Sequence, residues 1–202
     1  MTGGWQALRA SDPDIALALL FAPPAQRELI ADRLHLAIES ENALRLASEP
    51  MLAAIRLQWW VEAIETRRHE SVPLMERLIA HIDAAAVRAD DLVSQVGLWQ
   101  DRLASAPEDA GGCWGALLAL LVPDQAAAAE QVGHALAQPG AMVGDEALHL
   151  LSRGQTRWVW MMGVLARHRQ NGAGQREDPL LIWRMLGWRF GIRLPSSSTT
   201  SR

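Results

Sequence analysis

SEPMLAAIRLQWWVEAIE, residues 48–65, is the stretch whose reading decides the fold. Ser48 is suited to cap a helix whose first turn holds Glu49 and Pro50, an acid and an imino acid matched to unpaired N–H groups. Beyond them Leu52, Ile55, Trp59 and Ile64 fall roughly on one helical face, and Met51, Leu57 and Trp60 broaden the apolar surface. Arg56 and Gln58 sit inside this apolar run. One reading is a core helix whose two indoles supply buried area. The other is that Arg56, Trp59 and Trp60 shape a ligand or partner site.

Immediately upstream, Ala25 to about Ala47 carries Leu29, Ile30, Leu34, Ala37, Ile38 and Leu44 at three- and four-residue spacing. Two long helices joined by a tight corner make an antiparallel hairpin. That hairpin brings Glu39, Glu41, Asn42 and Arg45 close to the segment Ala53 to Arg56, where a cleft for a ligand can form. Glu41 and Arg45 have the spacing of an ordinary surface ion pair along one helix.

Further out, residues 1–10 read as a flexible lead, and Ser11-Asp12-Pro13-Asp14 as a capping box opening a short helix through Phe21. Ser71-Val72-Pro73 starts a helix carrying Leu74, Leu78, Ile79 and Ile82; Asp90-Asp91 opens another with Leu92, Val96 and Trp99 inward. A turn is expected over Pro107–Gly112, then an apolar helix over 113–121 and an alanine-rich one from Pro123 to about Gln138. Segments 144–152, 155–169 and 178–190 read as the last helices, with a turn at Asn171–Gly174 and a disordered tail over 195–202. No strand pattern and no repeat is present, so the class is all-α, with one domain over 11–194.

Composition narrows the chemistry. In 202 residues, half of them apolar, the supply of hydrophobic side chains suffices for one sizeable core. All basic residues are Arg, which excludes a Schiff-base or P-loop lysine. Cys113 is the single cysteine, so no internal disulfide or iron–sulfur cluster forms, and it reads as a small buried hydrophobe. No export signal is seen at the N-terminus and the longest uncharged run is too short for a bilayer, so a cytoplasmic location is expected, with peripheral contact to the inner membrane. The net charge of −4 divides unevenly: residues 1–150 hold 10 Arg against 21 acids (−11), and 151–202 hold 9 Arg against 2 acids (+7). The Arg-rich end also carries Trp158, Trp160, Trp183 and Trp188. Its first-ranked partner is the protein's own acidic face; an anionic membrane or an acidic protein is next, and nucleic acid is excluded as a partner because the acidic body repels it.

Other candidates resolve plainly. Asp90-Asp91 lacks a further acid at helical spacing, with Gln95 standing four residues after Asp91, so helix-end electrostatics account for it. His35 and Glu39 have acid–base spacing but read as a surface contact. His134 and His149 are too isolated for a zinc site.

At Leu20-Phe21-Ala22-Pro23, Glu39, Glu49-Pro50-Met51-Leu52 and Arg56-Leu57-Gln58-Trp59-Trp60 the chain resembles the squalene/phytoene synthase family. The likeness is to the branch that includes the mitochondrial complex I assembly factor and its bacterial relatives, over about residues 12–66. It implies an isoprenoid-synthase-like helical bundle, here truncated, with a cavity between helices. The family's synthases hold Mg²⁺ against two prenyl diphosphates with two Asp-rich motifs, because that ion takes hard oxygen ligands. Here the first motif falls at about Glu41, Asn42 and Arg45, and the second has no counterpart beyond Asp145-Glu146. The expectation is therefore a protein without catalytic residues, metal or cofactor that binds a protein partner, such as a respiratory or membrane complex, or a prenyl lipid. Its expected ligand-binding residues are Glu39, Glu41, Asn42, Arg45, Arg56, Trp59 and Trp60. The alternatives are a head-to-head prenyl transferase, requiring Mg²⁺, and a structural subunit of a larger complex.

Overall fold

The computed structural model describes residues 3–68, 71–104, 110–138, 140–170 and 181–189. Among these residues there is no strand, and eleven α-helices carry the fold. They are α1 (Gly4–Ser11), α2 (Pro13–Ala18), α3 (Arg27–Leu46), α4 (Pro50–Glu65), α5 (Pro73–Asp83) and α6 (Ala89–Ala104) in the first half. The second half holds α7 (Ala110–Leu121), α8 (Ala126–Ala137), α9 (Asp145–Leu151), α10 (Arg157–His168) and α11 (Leu181–Arg189). The expected turn at Asn171–Gly174 and the expected tail over 195–202 lie outside the described residues.

α3 is the hub. It packs against α1, α4, α5 and α6, while α8 plays the same part for α7, α9 and α10. α10 also meets α2, and α6 meets α7, which joins the two groups. At the α7–α8 crossing the backbones nearly touch: a Cβ on Gly133 would stand 2.3 Å from the Trp114 carbonyl oxygen. Cys113 lies buried on α7 and its thiol donates to the Leu98 carbonyl at 3.2 Å, a packing role. Among the described residues no single helix is long and apolar enough to cross a membrane.

Away from α4 and the α3–α6 contacts, three sequence expectations need correction. Residues 4–11 form a helix, held down by Leu8 in the core and by the Trp5 indole N–H donating to the Ala16 carbonyl at 2.7 Å. Its N-terminal Trp5 N–H is met by Glu28 of α3, 3.1 Å away, so the segment's order depends on a tertiary partner. The cap of α2 is Asp12, whose Oδ1 accepts from the Asp14 and Ile15 amides, whereas the Ser11 hydroxyl turns back to Ala7. α7 already begins at Ala110, so Ala110–Gly112 are helical and not a turn.

α4 departs most. It starts at Pro50 with Glu49 in the cap position, and Ser48 caps nothing. Its buried residues are Ala53, Leu57, Trp60, Val61, Ala63 and Ile64. Met51, Leu52 and Ile55 are 70, 45 and 58% exposed. An α-helix that is apolar nearly all round carries little information about which side turns inward, and the small Ala53 and Ala63 let the other side approach its neighbours.

The buried charge in the first half is Asp32 of α3, 1% exposed. Arg77 Nε donates to one of its oxygens at 2.7 Å and His81 Nε2 lies 3.0 Å from the other, which ties α5 to α3. The carboxylate also fills the space beside Gly4, where a Cβ would come within 2.5 Å of Oδ1, so α1 can sit there only with glycine. Removing one member of such a pair strands the other charge. Asp32→Ala is expected to cost about 3–5 kcal/mol of unfolding free energy, read from urea denaturation.

Candidate functional site

The corner Ala47–Glu49 turns the chain from α3 into α4, and α6 lies across both helices. Trp99 and Arg102, three residues apart on α6, share one face and both reach Glu41 of α3. The Trp99 indole N–H donates to Oε2 at 2.9 Å, and Arg102 Nη1 donates to both carboxylate oxygens at 2.9 Å. The expected Glu41–Arg45 pair is therefore not formed; Arg45 donates to Asn42 Oδ1 at 3.0 Å instead. A partly buried, bifurcated pair with Arg102 outcompetes an exposed one along the same helix, because less water screens it.

Beside this pair a cavity of about 380 Å³ opens between α3, α4 and α6, with Leu44, Ala53 and Leu103 on its apolar side and Glu41, Arg45 and Arg102 on its polar side. A second, more open groove of about 740 Å³ runs between α4 and α6. Ala54, Ile55, Gln58, Trp59 and Glu62 line it from α4, and Gln100, Leu103 and Ala104 from α6. Leu103 borders both.

Of the residues picked out from the sequence, Glu41 and Arg45 line the cavity and Asn42 fixes Arg45; Trp59 lines the groove. Glu39, Arg56 and Trp60 line neither. Trp60 is core, stacked edge-on with Trp59 at 5.0 Å and 77°. Arg56 points to solvent. Arg102, Leu103 and Ile55 were missed as site residues, although the shared face of Trp99 and Arg102 is readable from their spacing. Trp60→Ala is expected to destabilise by ~3–5 kcal/mol and Trp59→Ala by roughly half as much, because part of the Trp59 ring borders open space.

Among the described residues, those at the expected motif positions do not fit Mg²⁺. That ion needs several oxygen ligands at once, yet both oxygens of Glu41 are engaged by Arg102 and Trp99. Asp145 accepts from Arg167 at 2.6 Å, and among the described residues no group of three or more His, Cys, Asp or Glu side chains is placed to hold a metal.

Among the described residues of the Arg-rich end, two arginines turn to the protein's own acids. Arg169 pairs with Asp14, and Arg167 with Asp145 and the Val143 carbonyl. Trp158 is buried and Trp188 stacks edge-on with His168 at 5.3 Å, leaving Trp183 62% exposed.

His35 lies 3.7 Å from Glu39 and 3.3 Å from the Ser11 hydroxyl, both through Nε2. Burial holds its imidazole below the usual range, against the pull of Glu39. The folded protein thus disfavours the imidazolium, and His35 contributes full stability above the ordinary histidine pKa, which is lost as pH falls from there toward its lowered value. Between about pH 7.5 and pH 5.5, the urea midpoint of the wild type is expected to fall more than that of His35→Gln.

No family model, no curated protein and no solved structure matches this chain.

Proposed function

We propose that this chain is a non-catalytic docking protein, built like a reduced squalene/phytoene synthase and acting in the manner of an assembly factor. Its α4–α6 groove holds an apolar helix of a protein partner, for which a component of a respiratory or membrane complex is the expected class. The observation that carries the reading is the second apolar face of α4. Leu52, Ile55 and Trp59 recur at three and four residues, the spacing of a helix-packing seam, yet Leu52 and Ile55 face solvent and the core is served by the opposite side. Met51 extends the same stripe, and each fully covered large apolar side chain contributes about 1.5–3 kcal/mol.

A second reading has its own support. The smaller cavity pairs an apolar wall of Leu44, Ala53 and Leu103 with the Arg45 guanidinium, and of its two carboxylates Glu41 is paired with Arg102 while Glu49 lies at the corner, an arrangement in which the head of a prenyl lipid would meet Arg45. Bound lipid extracted from the natively purified protein, and missing from Ala53→Trp, would favour it. The exposed Trp183 supports a peripheral membrane contact by the C-terminal part.

A photo-cross-linking residue at Leu52 is expected to capture one stoichiometric protein from native cells, and the same residue at the exposed Glu130 of α8 is not. Ile55→Glu should abolish that capture while unfolding free energy changes by only ~0.5 kcal/mol, as for other surface substitutions. Equal cross-linking from both positions would sink the docking reading.

A further inference from the structure

We propose that the helix seated in the α4–α6 groove is cationic on one flank, and that a Lys or Arg side chain of the partner sits between the Trp59 ring and the Glu62 carboxylate. This rests on the docking reading above and specifies its occupant. Among the groove's lining residues Glu62 is the single charged group, and the rest are Ala54, Ile55, Trp59, Leu103, Ala104 and the amides of Gln58 and Gln100. Those amides are already linked: Gln100 Nε2 donates to Gln58 Oε1 at 3.3 Å, and Gln58 Nε2 donates to Glu62 Oε1 at 3.2 Å. The chain of bonds orients the Glu62 carboxylate without neutralising it, and Oε2 stays outside it.

Trp59 and Glu62 stand three residues apart on the same side of α4, so an indole and a carboxylate border one space. Indole is the strongest ring acceptor for a cation, and a carboxylate beside it adds to the attraction. Exposed on α4 and its N-cap are Glu49, Glu62 and Glu65 against Arg56, with Arg67 and Arg68 past its C-terminal end, and of these Glu62 lines the groove. An acidic helix would set like charges against Glu62, and an anionic lipid surface meets the same repulsion. A helix with apolar knobs for Ile55 and Leu103 and a basic flank meets no like charge among the groove's lining residues.

The test uses the full chain and two fluorescent designed helices with one shared Leu/Ala stripe, flanked by Lys in the first and Glu in the second. The Lys helix is expected to bind about tenfold tighter or more and to weaken as salt rises from about 50 to about 300 mM. Glu62→Gln should reduce the preference to under about threefold while apolar binding persists. Ile55→Glu should remove both helices. Equal binding of the two helices, both still lost in Ile55→Glu, overturns the cation seat and leaves the docking reading standing. Binding of neither helix, or binding unmoved by Ile55→Glu, overturns both. Two further results name a different occupant and also overturn it: dimerisation of the chain that Ile55→Glu abolishes, or binding to phosphatidylglycerol vesicles lost in the same variant.

Discussion

α3 is enclosed by four other helices, and while buried Ser40 bonds back to the Leu36 carbonyl of α3 itself, three further polar side chains of α3 are met from those neighbours. Asp32 is met by Arg77 and His81 of α5. Arg33 Nε donates to Gln95 Oε1 at 3.0 Å, and Gln95 returns a bond to the Arg33 carbonyl at 2.7 Å, which registers α6. Glu41 is met by Trp99 and Arg102 of the same helix. Apolar packing alone would let these helices slide; three polar matches along one helix fix their rotation and offset. The cavity and the groove exist where they do because α6 is held in that register.

This arrangement changes what the acidic residues of α3 are for. Glu41 stands where an ion-binding carboxylate is expected on the family resemblance, yet its oxygens bind a guanidinium and an indole. It works as a strut between α3 and α6. With the carboxylate occupied, the neighbouring surface of α4 is left apolar, with Glu62 as the charge in its groove. That apolar surface is the one on which the docking proposal rests.

The order of the helices from α2 to α10 was readable in the chain, because prolines at Pro13, Pro50, Pro73 and Pro123 each open a helical segment and the apolar spacing between them has the helical period. The first helix was not readable: its eight residues hold too few apolar side chains for a period, and its end is capped by Glu28 from a distant part of the chain. While Glu41 and Arg45 line the cavity and Trp59 the separate groove, what was legible was the hairpin of α3 and α4. Its pairings were not, since an exposed i,i+4 contact and a buried long-range one look alike until burial is known.

By itself, then, the sequence determined an all-helical chain, the segments that become helices, a lone cysteine that packs as a hydrophobe, and an acidic body with an arginine-rich end. These are local properties: propensity, period and charge. Only the tertiary structure decided which side of α4 faces the core and that Arg102 answers Glu41. It also decided that Arg167 and Arg169 turn to the acidic body. A helix with apolar residues on most of its circumference has no preferred inward side until neighbours of a given shape and charge are set against it, and the small Ala53 and Ala63 settle that contest here.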